Sequence, residues 1–200
     1  MNTFDAIQQR RSVKHYDASH QMTDQEIKTL FELAILSPTS FNIQNWRFVV
    51  VKNPDLRQKI QEAAWNQSQI TEASLTIILC ADLKAWQKNP NRYWRNTSEE
   101  IRDRLVPMIV QFYEGKEQLQ RDEAMRSCGM AGQTIMLTAK AMGYDSCPMI
   151  GFDPQKVSQF INLPADHVIG FIIVVGKAAK PANPRGGQLD LSEVLIYDHF

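Results

Sequence analysis

Hydrophobic and polar positions along the chain follow two periods, one helical and one of strands. Ile27, Leu30, Phe31 and Ala34 recur at helical spacing. They follow Thr23-Asp24-Gln25-Glu26, a capping box in which the threonine hydroxyl takes an amide three residues on and the glutamate reaches back. Pro38 ends this helix, because the residue before a proline avoids the right-handed helical region. Further helices are predicted over Thr3–Arg10, with Phe4 and Ile7 on one face, over Asp55–Ala64, and over Ala124–Met142. The last is rich in small residues that permit close packing, and Gly143 closes it. Strands are predicted at Phe48–Val51, Leu75–Ala81 and Val168–Gly176, the last two being uncharged, β-branched runs that suit buried positions. Asp153-Pro154 reads as a helix N-cap followed by proline at the first helical position.

Between these elements lie three irregular stretches. Ser37–Trp46 is polar and proline-led and is predicted to be a loop. From Asn89 the sequence turns aromatic and charged, which suggests a helical excursion (90–123) away from the core. Pro181, Pro184 and Gly186-Gly187 form an open connector, and Ser192–Tyr197 is a final β-prone segment within an extended arm, 181–200. That segment suits either an ordinary edge strand or an arm that reaches a second subunit. The whole, 1–200, reads as one domain.

Composition narrows the classes. Two hundred residues with 22 basic and 22 acidic side chains give zero formal net charge, without the basic bias of a nucleic-acid binder. A chain of this length buries roughly 70% of its unfolded surface, and 44% hydrophobic residues exclude a disordered chain. Cys80, Cys128 and Cys147 form no CxxC pair, and His15, His20, His167 and His199 form no HExxH; disulfide and zinc readings fail on spacing. His167 and His199 read as surface residues. The N-terminal segment has no apolar signal core, and no apolar run approaches a membrane span. The expectation is a cytoplasmic protein with neither nucleic-acid nor membrane partners.

Familiar catalytic patterns such as GxGxxG, GxxxxGK[ST] and GxSxG are absent. An enzyme without its own reactive side-chain set points to a cofactor that carries the chemistry. Two polar clusters stand out. Arg10-Arg11-Ser12-Val13-Lys14 places three cations and a hydroxyl in five residues, which suits a phosphate and equally suits a solvated helix end. Pro38-Thr39-Ser40-Phe41-Asn42-Ile43-Gln44-Asn45-Trp46 crowds hydroxyls and amides into one loop. That set fits the edge of a heterocycle or a turn bonded to its own backbone.

RRSVKHY followed by SPTSFNIQNWRF resembles the opening of the FMN-dependent nitroreductase family, approximately RRSxRxF and SPSSxNxQPWxF. AAWNQSQITEAS, CPMIGFD and ANPR resemble later family segments in the same order. The resemblance implies an α+β fold, a mixed central sheet flanked by helices. It implies an intertwined homodimer that shares two FMN sites and exchanges C-terminal strands. Arg10, Ser12 and Lys14 would hold the ribityl phosphate and the pyrimidine edge, with Arg11 alongside and Arg185 adding a phosphate contact. Pro38, Thr39, Ser40 and Asn42 of the other subunit would pack on the flavin, with Gln44 near it. Asn66 or Gln67 would bond the polar edge of the ring. Met149, Ile150 and Gly151 would line it, with the Gly151 amide near N5.

The activity implied is ping-pong electron transfer from NAD(P)H through FMN to a small nitroaromatic, quinone or similar electron-poor acceptor. No side chain is then an obligatory acid or base, and no metal is needed. Alternatives on the same scaffold are flavin binding without reductase activity, or flavin fragmentation or dehalogenation. The sequence departs from the family pattern at Lys14 (arginine), Asn45 (proline) and Ile150 (glutamate in several relatives). Lys84, Lys88, Arg92 and Arg95 form a stretch without acids, placed to attract an anionic nicotinamide cofactor if it flanks the pocket.

Overall fold

The computed structural model describes residues Met1–Phe200. In chain order the elements are α1 (Thr3–Gln9), α2 (Asp24–Ala34), β1 (Trp46–Val50), α3 (Pro54–Ala63), α4 (Gln69–Glu72), β2 (Leu75–Asp82), α5 (Glu99–Tyr113), α6 (Glu117–Ala141), β3 (Asp145–Met149), α7 (Pro154–Phe160), β4 (His167–Gly176) and α8 (Leu191–Val194). The strands form one sheet in the order β1-β2-β4-β3. All three ladders are antiparallel. Parallel pairing is confined to a single bridge between Ser12 and Ser146.

The two central strands explain the uncharged runs. Every residue of β2 is buried, and successive side chains enter opposite cores, as a period of two requires. Ile78, Cys80, Ile172 and Val174 join Val13, Ile60, Ile70 and Val157 on one face. Ile77, Leu79, Ile173 and Val175 join Leu30, Ala124, Ile135 and Ala139 on the other. The register slips between Leu79 and Cys80, with Gly170 as the extra residue of β4. A Cβ there would stand 2.9 Å from Cβ of Cys128 on α6, so the bulge lets the long helix lie on the sheet. Gly132 serves the same approach, since its missing Cβ would strike the Phe171 ring. Gly129 and Ala141 of the same helix face outward.

The local signals hold where their physics is local. Thr23 and Glu26 complete the capping box on α2. Asp153 caps α7 with Pro154 in its first turn. Gly143 follows α6 at φ +80, a conformation that suits glycine.

Three expectations change. Residues 145–149 carry no predicted element and form an edge strand; Pro148 is tolerated because the outer side of β3 is bridged only at Ser146. Helix α6 starts earlier than its small-residue core suggests, through the polar turn from Glu117. Ser192–Tyr197 is not a continuous extended segment. Asp190 accepts from the Ser192 amide at 2.9 Å and its hydroxyl at 2.6 Å, opening one helical turn, α8, because the backbone there has no strand to pair with. Residues 183–200 are exposed throughout, Leu191, Ile196, Tyr197 and Phe200 included. No helix is long and apolar enough to cross a membrane.

Candidate functional site

The first cluster lies where α1 ends. Val13 and Tyr16 are buried anchors, and Ser12 and Lys14 turn outward. Val13 donates to the Ser146 carbonyl at 3.2 Å, which fixes this segment along β3. Arg185 arrives from the far end of the chain. Its Nη2 donates to the carbonyls of Gln8 and Arg10 at 3.0 and 3.1 Å. It thereby satisfies orphan groups at a helix C-terminus, where a cation is favourable. The Arg11 guanidinium donates to the Asn183 carbonyl. Arg10, Arg11, Ser12, Arg185 and their neighbours thus line one depression of about 300 Å³ without a hydrophobic residue. Lys14 lies outside this lining and is exposed without a hydrogen-bond partner. None of the four cations meets a carboxylate within 4.0 Å. Like charges 4 Å apart cost on the order of 1 kcal/mol even in water, and an anion between them reverses that sign.

The second cluster is braced as a turn. Phe41, Asn42 and Gln44 take positive φ of 50, 54 and 44. Thr39 Oγ1 accepts from the Gln44 amide at 3.0 Å, and Asn42 Nδ2 donates to the Tyr93 carbonyl at 2.7 Å. The Ser40 amide donates to Glu123 at 3.3 Å. Ile43 anchors the loop in a small cluster with Trp86, Tyr93, Ile109 and Tyr113 beneath the excursion. Pro38 is exposed. Asn45 is buried and its Oδ1 has no partner. Within one chain this loop does not join the cation depression. Asn42 and Gln44 line a separate one with Arg92, Tyr93, Arg95 and Asn96.

The third group surrounds Gly151. Trp65 and Asn66 hold φ of 55 and 58, which asparagine accepts more readily than most residues. Gln67 Nε2 donates to the Gly151 carbonyl at 2.9 Å, and its Oε1 accepts from Gln69 at 3.0 Å. Its carboxamide is therefore engaged, while that of Asn66 is exposed and without a partner. The Gly151 N–H donates to nothing within the chain. A Cβ on Gly151 would lie 2.6 Å from Cζ3 of Trp65. Met149 is only 4% exposed and packs in the sheet core. Alternation along β3 turns its side chain inward, so it is the Met149 backbone that is left to line a ring. Ile150, at 84%, stands free.

Sequence reasoning missed a charged knot at one end of the two central strands. Asp82, 3% exposed, ends β2. Lys88 Nζ donates to both its oxygens at 2.9 and 3.0 Å and to Asp166 at 2.6 Å. His167 Nδ1 lies 2.6 Å from Asp166. His167 was expected on the surface and is instead drawn into this knot by the two carboxylates. Hydrogen bonds from Lys88 and then His167 hold the Asp166 carboxyl down to about 2. The ligand atoms of Asp82, Asp166 and His167 lie within 4.8 Å of one another, but the Lys88 ammonium already fills the role of a cation there. The Asp82–Lys88 pair and the Asp166-His167 pair meet across a separation of 78 residues or more, so no motif announces them.

No reactive nucleophile emerges. All three cysteines are free and buried, and burial pushes the Cys80 and Cys128 thiols up to about 12.

The sequence profile of the Nitroreductase family matches residues 7–177. The chain is 58% identical over 200 residues to protein DrgA of Synechocystis sp., covering 98% of this chain and 95% of that one. It is 33% identical over 190 residues to an oxygen-insensitive NADPH nitroreductase of Helicobacter acinonychis, covering 90% and 89%. Among solved structures, a Bacillus subtilis protein described as a nitroreductase superposes with a TM-score of 0.92 at 30% identity, covering 98% of each chain. A protein of Exiguobacterium sibiricum, described as a nitroreductase and solved in complex with FMN, also gives 0.92, at 27% identity over 99% and 98% of the chains.

Proposed function

Because the chain belongs to the nitroreductase family, we propose that it is an FMN-dependent oxidoreductase that passes electrons from NAD(P)H to a small electron-poor acceptor such as a nitroaromatic or quinone. The observation that carries this reading is the acid-free depression of Arg10, Arg11, Ser12 and Arg185. Guanidinium forks and a hydroxyl converge there without a counter-charge, the donor set a phosphate monoester requires. The names of relatives support the nicotinamide donor and the flavin.

Bound FMN would supply reversible hydride uptake and release, the step no side chain of this protein offers. Arg10, Ser12 and Arg185 would hold its phosphate, with Arg11 alongside. Lys14, exposed and unpaired, would place a positive charge near the pyrimidine edge. The free Gly151 N–H would orient the central ring nitrogen, and Asn66 would reach the polar edge of the ring. Ile150 replaces a carboxylate with an apolar surface beside the ring, favouring acceptors of low polarity. Pro38, Thr39, Ser40, Asn42 and Gln44 would come from a second copy, since one chain keeps them apart from the cation depression. The exposed apolar residues of the arm supply a surface for that copy. A homodimer with two sites and alternating entry of donor and acceptor follows. Buried free thiols suit a reducing compartment such as the cytoplasm.

The test is an absorbance spectrum of the purified protein reconstituted with FMN, then anaerobic titration with NADH and NADPH. Bleaching of the flavin and its return on adding a quinone are expected. Failure to bind FMN would remove the cofactor reading. A bound flavin that neither nicotinamide bleaches would leave a binding protein without reductase activity.

A further inference from the structure

The four cations from Lys84 to Arg95 are not equivalent in the folded chain. Lys84 Nζ donates to Gln120 at 2.8 Å. Lys88 is enclosed by Asp82 and Asp166. Arg92 and Arg95 are exposed and meet no carboxylate within 4.0 Å. They share a polar depression of about 150 Å³ with Asn42, Gln44, Tyr93 and Asn96. Sites for whole organic ligands run from about 300 to 1,000 Å³, so this one has room for a single charged group.

The support beneath the two arginines is rigid. Asn89 at φ 54 and Pro90 start the turn, and the Arg92 amide closes it on the Asn89 carbonyl at 3.1 Å. The Tyr93 ring is buried; its hydroxyl donates to the Ala85 carbonyl at 3.1 Å, and its own carbonyl accepts from Asn42. The Arg92 guanidinium lies 5.3 Å from the centre of that ring, which limits the freedom it loses on binding an anion. The depression is therefore built on the same loop, Asn42 to Gln44, that the proposed function brings to the flavin.

We propose that Arg92 and Arg95 form a second anion site, separate from the Arg10–Arg185 depression, that binds a phosphate group of the nicotinamide dinucleotide as it enters. The assignment rests on the oxidoreductase reading. Two free guanidiniums among carboxamide donors recognise phosphate oxygens, and a separate phosphate site beside the flavin loop is what a dinucleotide donor needs in addition to a flavin phosphate site. The dinucleotide offers such a group either in its pyrophosphate or, in NADPH, at the 2′ position.

The test compares R92Q, R95Q and the double variant with the parent protein, as FMN-loaded full chains, with K28Q as a remote charge control. Calorimetric titrations use 2′,5′-ADP, 5′-ADP and inorganic phosphate, and a flavin fluorescence titration gives the FMN affinity. Each single change should weaken adenosine phosphate binding about tenfold and the pair about 100-fold, as expected for charged hydrogen bonds. KM for the nicotinamide should rise with kcat unchanged. A loss confined to 2′,5′-ADP and NADPH identifies the 2′-phosphate; an equal loss for 5′-ADP and NADH identifies the pyrophosphate. Unchanged adenosine phosphate affinity in the double variant overturns the proposal, as does a loss of FMN affinity instead, or an equal effect of K28Q. The calorimetry does not depend on flavin reduction. If neither nicotinamide bleaches the flavin, the functional reading fails while these titrations still decide whether the site binds phosphate.

Discussion

Gln67 donates a 2.9 Å hydrogen bond from its side-chain amide to the carbonyl of Gly151, joining two loops 84 residues apart in sequence. The bond turns one amide group inward and leaves its neighbour, Asn66, outward. The two residues therefore separate into different kinds of variant. Gln67→Ala should lower stability by about 1 kcal/mol, the usual net worth of such a bond, seen as a lower urea midpoint. Asn66→Gly keeps the left-handed backbone at φ 58 and removes only the side chain. It should weaken FMN binding about tenfold at an almost unchanged midpoint.

A methyl group on Gly151 has one clear obstacle, the Trp65 ring 2.6 Å away. That ring is 72% exposed and can swing aside, so Gly151→Ala should cost less than about 1 kcal/mol of stability. The displaced ring and the added carbon should instead raise the FMN dissociation constant. Thermal melts and a flavin fluorescence titration of the same samples separate the two effects.

Arg185 should matter twice. Its guanidinium caps the carbonyls of Gln8 and Arg10, and it lines the cation depression. Arg185→Ala is expected to lower FMN affinity by at least about tenfold and to steepen hydrogen exchange at the end of α1. Because the cations have no internal counter-charge, FMN affinity in the parent protein should fall as ionic strength rises. The variant should show a shallower dependence.

The knot around Asp166 gives a pH dependence with a definite sign. Its carboxyl sits near 2 in the folded state, below its ordinary 3.8. The stabilisation it carries is therefore complete above pH 3.8 and is lost as pH falls towards 2. The group is partly exposed, so solvent screening keeps the magnitude small. Asp166→Asn should be less stable than the parent at pH 6, with the difference shrinking between pH 4 and 2. Urea unfolding followed across that range reads it directly.

The thiols give a simpler check. All three cysteines are buried, and the Cys80 and Cys128 thiols are held protonated at neutral pH. A thiol-reactive chromophore should label almost none of them in the native protein and all three in denaturant.

What the sequence discloses depends on the range of the interaction. The Thr23–Glu26 box and the Asp153-Pro154 start were readable because cap and helix are neighbours. Leu75–Ala81 and Val168–Gly176 were readable because a strand buried on both faces has to be uncharged throughout. The polar edge strand β3 was partly hidden by Pro148, which only its position beside β4 makes acceptable. The Lys88 knot left no trace, since Asp82, Asp166 and His167 are assembled by the sheet. The cations Arg10 and Arg185 carried a family signature, but only the folded chain brings both into one depression. Neither composition nor spacing could tell Asn66 from Gln67, because the difference is which way a carboxamide points.

The root of the C-terminal arm is also a wall of the cation depression: Arg11 holds the Asn183 carbonyl, and Arg185 holds the end of α1. An anion held there would tie together the base from which Leu189 to Phe200 project. By reciprocity of linked equilibria, if that anion favours docking of the arm on a second copy, docking would tighten the grip on the anion by the same factor. Ligand occupancy and assembly would then be two readings of one free energy, and the saturation curve for one should shift with the concentration of the other.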